Sequence, residues 1–241
     1  MTFVNISNFR YLCDAFTFTE KDVQVLDSTL AKYDEKTGLL EQMVDFARAN
    51  SFKNIMNFTG PQLHVYMDIY LNKENGSELS TTTLGIAKNS LDLPPLLMLN
   101  LHSPSMNVPQ RIEIPLRYVL KGLPPLGGTH MVYLHAIEIN DKEKYIYYGR
   151  TKRGWMKRFN EHVKLAMKGS NRKFPALFGE AMRNRYLQLE GQLNVGGKGP
   201  IYTGSHHVVC GAGYSLEDAK AAERYLIDKR SLSKDNGLNM V

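Results

Sequence analysis

The chain has 241 residues, 43% of them hydrophobic, enough for one large domain or two smaller ones with packed cores. No apolar run is long enough to span a bilayer, and Cys13 and Cys210, far apart and in no CxxC, speak against a disulfide framework or a cysteine-bound zinc. The net charge of +6 is uneven: residues 131–241 carry 19 Lys and Arg against 11 Asp and Glu, net +8, leaving −2 for residues 1–130, so the basic half is the one expected to meet a polyanion.

The opening MTFVNISNFRYL has no basic stretch followed by an apolar one, so no secretory signal is expected, and two reduced cysteines suit a cytoplasmic protein. Val23, Leu26, Leu30 and Tyr33 recur at helical spacing, as do Leu39, Leu40, Met43, Val44 and Ala47. Thr19 is placed to cap the first of these helices, with Glu20 and Asp22 at its positive end. His64–Leu71 fits either a strand or a short helix; Asn75-Gly76 signals a turn, and Thr81–Thr83 favour an extended backbone. Pro94-Pro95 precedes Leu96–Leu101, expected as a buried strand, and Arg111–Leu120, which contains Pro115, as an edge strand.

Residues 121–128 (KGLPPLGG) combine prolines and glycines at the charge change and are the expected linker between an N-terminal region, 1–120, and a C-terminal one, 129–241. Beyond it, Val132–Ile139 and Tyr145–Tyr148 read as a hairpin turning at Asn140–Lys144. Helices follow at Trp155–Met167, stopped by Gly169, and at Phe174–Asn184. Residues 186–204 are glycine-rich and polar. His207–Cys210 reads as a short strand and Leu216–Lys229 as a helix capped by Ser215. The order β-β-α-α-β-α predicts an α+β unit in which a small antiparallel sheet is covered by helices, preceded by a mixed, partly helical N-terminal region.

Chemistry-bearing side chains gather in that C-terminal unit. Tyr133 and Tyr147 stand on the two hairpin strands, roughly opposite each other if the turn centres on Asn140-Asp141. Gly149 ends the second strand and leaves room for a phosphate to approach the backbone; Arg150, Lys152 and Arg153 follow at once. Arg158 and His162, four residues apart, share a face of the next helix, beside an apolar stripe of Phe159, Val163 and Ala166. Taken singly these have plainer readings: a tyrosine in a strand core, a solvated basic helix face, an exposed acid at Glu223, a terminal turn at Asn239. Trp155 could stack on a base, although packing at the helix start is the simpler role. Gly197-Lys198-Gly199 is not a P-loop, and the adjacent His206 and His207 point to opposite sides of an extended chain and so do not suit one zinc.

Taken together, the residues resemble the GIY-YIG nuclease superfamily. Met131-Val132-Tyr133 corresponds to its first signature, matching only at the tyrosine, and Tyr147-Tyr148-Gly149 to its second. The helix arginine and the following histidine match Arg158 and His162, the single acid of a later helix matches Glu223, and the closing asparagine matches Asn239 in Gly237-Leu238-Asn239. Arg150 stands where several members carry lysine, which keeps the charge but not the shape. The likeness spans 129–241 and does not reach the first 120 residues.

What the resemblance implies is a metal-dependent DNA endonuclease, with residues 1–120 serving recognition, oligomerisation or regulation and a restriction-type or other invader-directed setting. Glu223 would hold one divalent ion, most simply Mg2+, which binds well only with phosphate present. Arg158 would donate to non-bridging phosphate oxygens, and Tyr147 would position the water or the phosphate. Tyr133 is the implied general base, which requires cations such as Arg150 or the metal nearby; His162 is the alternative acceptor, or orients Tyr133. Gly149, Arg150, Lys152, Arg153 and Asn239 would contact phosphate or DNA. Cutting both strands with one site per chain implies a homodimer or higher oligomer. The competing expectation is a non-catalytic nucleic-acid-binding or interaction protein that keeps the fold.

Overall fold

The structure, a computed structural model, describes residues 3–13, 19–40, 63–72, 76–86, 95–103, 106–139, 143–177, 179–180, 202–231 and 236–239. Its elements in chain order are α1 (Ile6–Leu12), α2 (Glu20–Thr37), β1 (Leu63–Asn72), β2 (Gly76–Ile86), β3 (Leu96–Ser103), β4 (Met106–Pro115), a 3-10 turn (Leu116–Val119), β5 (His130–Ile139), β6 (Glu143–Thr151), α3 (Trp155–Met167), β7 (Tyr202–Tyr214) and α4 (Leu216–Arg230). Residues 173–177 are also helical. The expected helical positions Met43, Val44 and Ala47, the turn residue Asn75, the hairpin tip 140–142, residues 181–184 and most of 186–204 lie outside the described residues.

The seven strands form one mixed sheet in the order β2-β1-β3-β4-β7-β5-β6. The β1–β3 and β4–β7 pairs are parallel and the others antiparallel. The fold is therefore α+β, and among its three C-terminal strands β5 is antiparallel to both of its neighbours, β6 and β7. They do not stand apart, however: β7 pairs with β4 from Gln110↔Ser205 to Glu113↔Val208, carrying the sheet across both sides of the 121–128 segment. That segment is itself fastened to α1. Asn8 donates to the Pro124 carbonyl and accepts from the Leu126 N–H, and the Asn5 amide donates to Leu123 O.

β4 is an interior strand, not the edge strand that Pro115 suggested. The proline falls on its last residue, opposite Leu96, where the missing N–H does not interrupt the ladder, and the chain turns at once into the 3-10 segment. His64–Leu71 resolves as a strand, stabilised by pairing on both sides rather than by a pattern of its own. A polar row crosses three strands in register: the Asn100 amide donates to Asp68 at 3.2 Å, and Arg111 Nε donates to Asn100 at 3.0 Å.

Helices settle on both faces. Thr19 and Asp22 close a capping box at the start of α2, and Gly38, at φ 59°, ends it in the left-handed conformation. Val23, Leu26, Leu30 and Tyr33 of α2, with Phe9 and Leu12 of α1, pack on Val65, Met67, Leu97, Leu99, Ile112 and Ile114 in the main core. Trp155 and Phe159 of α3 extend that core over β5. A second, smaller core lies beneath α4, where Ala219, Ala222 and Leu226 meet Val132 and Tyr148. Among the described residues no helix is long and apolar enough to cross a membrane. Both cysteines are free thiols, and burial pushes that of Cys210 up to about 12.

Candidate active site

Alternation along β5 decides what each side of the sheet can do. Met131, Tyr133 and Ile137 point into the main core toward α3, while Val132 points to α4. β6 follows the same rule, with Tyr147 on the α3 side and Tyr148 on the α4 side. The hairpin pairs Ile139 with Glu143, so Tyr133 faces Gly149 and Tyr147 faces His135. The two tyrosines are thus diagonal neighbours on one face rather than directly opposite.

Gly149 serves this face by having no side chain. A Cβ there would stand 2.5 Å from Tyr133 Oη and 2.6 Å from Cζ, so the space expected to admit a phosphate is taken up by the protein's own phenol. Tyr133 is 1% exposed; its hydroxyl has no partner of good hydrogen-bond geometry among the described residues, and the Arg158 guanidinium is the donor set beside it. Tyr147 packs edge-on against His162, ring centroids 5.0 Å apart, and against Phe174 at 5.1 Å.

Arg158 and His162 reach the same place from α3. Burial of Phe159, Ala166 and Trp155 fixes the helix, and the Trp155 indole N–H donates to Leu12 O at 2.8 Å, so this tryptophan is a buried packing residue. Arg158 is about one-third exposed and pairs with Glu161 at 2.5 Å; Arg153 reaches the same carboxylate at 2.9 Å. The hydrogen bond from Arg158 holds the Glu161 carboxyl below its usual range, against a smaller desolvation effect. His162 is 5% exposed, with neither ring nitrogen partnered among the described residues.

Burial sets the protonation of this cluster. It raises the Tyr133 phenol well above its ordinary value, helped by Tyr147 and opposed by the Arg158 guanidinium beside it. Tyr147 is raised for the same reason, against Arg158, Arg172 and Arg150. Desolvation lowers His162 to about 4, with Arg158 and Arg172 reinforcing and Glu161 opposing. At neutral pH both tyrosines are therefore phenols and His162 is an uncharged imidazole. The cation nearest Tyr133 is Arg158 rather than the expected Arg150.

Glu223 and Arg150 form a second group. Arg150 shares the α4 side of β6 with Tyr148 and is ion-paired with Glu223 on α4. The sheet separates this pair from Tyr133, although Arg150 still acts on the charge of Tyr147. Lys152 and Arg153 are exposed just beyond β6. Asn239 is buried and bonded to backbone: its Oδ1 accepts from Tyr148 N–H at 2.9 Å and its Nδ2 donates to Tyr148 O at 2.8 Å. It behaves like the next strand's peptide.

Three participants escape a reading of the sequence alone. Glu161 stands three residues after Arg158, a spacing that does signal an ion pair. His135 lies two residues after Tyr133 and so on the same face. His207 contacts it only through the pairing of β5 with β7, and no local pattern announces that. No family model, no curated protein and no solved structure matches this chain.

Proposed function

We propose that the protein is a metal-dependent DNA endonuclease that hydrolyses phosphodiester bonds, with a GIY-YIG-like unit at 129–241. The observation that carries this is the convergence of Tyr133, Tyr147, Arg158 and His162 from two strands and a helix onto one face. A packed core has no use for a guanidinium between two phenols and an unpartnered neutral imidazole, whereas phosphoryl chemistry uses each of them.

Arg158, anchored by Glu161 but partly exposed, binds the non-bridging oxygens of the scissile phosphate and stabilises the charge that develops there. His162, neutral down to about pH 4, offers a lone pair to the proton of the attacking water. Tyr133 and Tyr147 begin as phenols; Tyr147 donates to water or phosphate, and Tyr133, 1% exposed, donates only within the protein. Of the two base candidates, His162 is therefore the better poised in the resting protein. Lys152 and Arg153 add exposed positive charge for the flanking backbone.

Among the described residues no three His, Cys, Asp or Glu side chains gather in a way that suits a metal. Glu223 offers one carboxylate, and its present partner is a cation that a DNA phosphate would draw away. One carboxylate with phosphate and several waters fits Mg2+. When bound, the ion would supply positive charge to DNA phosphate on the α4 side of β6.

The Arg150–Glu223 pair also favours a second reading, a nucleic-acid-binding protein without cleavage, since the pair neutralises the one metal ligand and lies across the sheet from Arg158. Incubating supercoiled plasmid with Mg2+, with EDTA and with Glu223→Ala separates the two. The endonuclease predicts nicked and linear DNA lost in EDTA and in the variant. Retarded but intact DNA under every condition supports binding alone, and full cleavage by Glu223→Ala removes the metal-ligand role. DNA-dependent dimerisation, followed by mass on a short duplex, is expected if both strands are cut.

A further inference from the structure

His135 and His207 are absent from the proposed chemistry, yet they lie directly beneath it. They face each other across β5 and β7, and their Nδ1 atoms are 2.8 Å apart. Both rings are about 1% exposed. Two neutral imidazoles make this contact only if one carries the Nδ1 proton and the other presents a bare Nδ1, so their tautomers are complementary. Trp155 stacks on His207 at 4.7 Å and 26°, and Phe159 meets both rings edge-on, at 4.4 Å and 5.1 Å, so neither ring turns freely. His207 thereby decides whether His135 Nε2 is a donor or an acceptor.

That Nε2 belongs to a group. His135 Nε2, Tyr133 Oη and both ring nitrogens of His162 are buried, and none has a partner of good hydrogen-bond geometry among the described residues. Their rings are neighbours: Tyr133 and His135 centroids lie 4.5 Å apart, and His135 and His162 6.0 Å apart. Three unpaired imidazole nitrogens beside a phenol whose one nearby donor is Arg158 are too costly for a folded core to leave unsatisfied. One small molecule that both donates and accepts would satisfy most of them, and a buried water with two to four polar partners is the usual solution. The charged or titratable groups facing His162 are Arg158 and Glu161 from α3, Arg172 ahead of residues 173–177, and Tyr147 on β6; those facing His135 are Arg158, Tyr133 and the two other imidazoles.

We propose that Tyr133, His135 and His162 share one buried water, and that His135, fixed by His207, is a positioning residue that couples the phenol to the imidazole through it. The water site stands without any reaction; the catalytic benefit of the coupling rests on the endonuclease proposal. His135 touches no substrate and acts by holding Tyr133 and His162 in a single hydrogen-bonded arrangement.

Two measurements on the full chain test the site itself. A crystal structure of the wild type at atomic resolution is expected to show one ordered water within about 3 Å of Tyr133 Oη, His135 Nε2 and a His162 nitrogen. A dry pocket, or Nε2 bonded elsewhere, overturns the proposal. The double variant His135→Phe/His207→Phe replaces both members of the buried pair by rings of similar shape, a change expected to keep the fold. In nitrogen-15 histidine spectra its His162 resonances should move, with the titration midpoint shifted by about half a pH unit or more. Unmoved His162 signals contradict the coupling. Where the wild type cuts plasmid, the double variant should lose about tenfold in kcat, with an altered acid limb and little change in KM. Wild-type kcat and pH profile in the double variant would contradict the positioning role. If the wild type cuts no DNA, the endonuclease proposal fails, while the water and the spectra still decide this one.

Discussion

At Gly149 the difference between a hydrogen and a methyl group determines whether Tyr133 can keep its place. Since the ring is buried against the α3 core, it has no room to swing away. Gly149→Ala is therefore expected to lower stability by about 1–3 kcal/mol in urea unfolding, the cost of overpacking a tight core. The imidazoles give a second, pH-dependent signature. Folded His162 binds its proton at about 4 and His207 at about 3, against 6.5 in an unfolded chain. The unfolded state therefore takes up protons first as pH falls. Stability is complete above pH 6.5 and is lost progressively toward 4, by about 1.4 kcal/mol per pH unit for each histidine in that window. Denaturant midpoints between pH 7.5 and 4.5 measure this, and a flat profile would show that these rings are not buried and neutral. Tyr133, Tyr147, Arg158 and His162 were legible as a group because each has a local pattern. His135 and His207 were not, because their contact depends on a strand pair separated by 72 residues.

Among the elements, the C-terminal residues act on a strand. β6 is an outer strand of the sheet, and Asn236 and Leu238 bond to Ile146 while Asn239 clasps both backbone groups of Tyr148. Gly237 permits this approach, since a Cβ there would stand within bonding range of the Ser231 carbonyl. The clasp protects an edge that would otherwise present open donors and acceptors to other chains. Asn239→Ala leaves the buried N–H and C=O of Tyr148 without partners, and a loss of about 2–3 kcal/mol is expected in chemical unfolding. Gly-Leu-Asn at the end of the chain was readable as a motif, but its partner was not. For the C-terminal strands existence was readable and extent was not: β7 runs for 13 residues where His207–Cys210 alone had the apolar pattern. Ladder pairing with β4 and β5 extends it through residues such as Gly204, Ser205 and Gly211, which have little strand preference of their own. The hairpin register differed from expectation by two residues, which kept both tyrosines on one face and changed only their partners.

For the molecule as a whole, the sheet makes the two halves of the chain interdependent. A fragment beginning at residue 129 would expose the side of β7 that β4 now covers, so it is expected to melt at lower temperature than the full chain and to self-associate, as light scattering would report. A fragment as stable and monodisperse as the whole protein would show that the β4–β7 pair contributes little. The sequence's charge change at 121–128 could not reveal a sheet running past that point, because composition carries no information about strand neighbours. What the whole fold accomplishes is to bring Arg158 and His162 over Tyr133 and Tyr147. The most direct test is Mg2+-dependent cleavage of supercoiled plasmid by the wild type and by Arg158→Ala, with thermal unfolding measured in parallel. Wild-type cleavage that falls about 10²–10³-fold in the variant, at an unchanged melting temperature, is the predicted result. Equal cleavage by both proteins would contradict a phosphodiesterase site on this face.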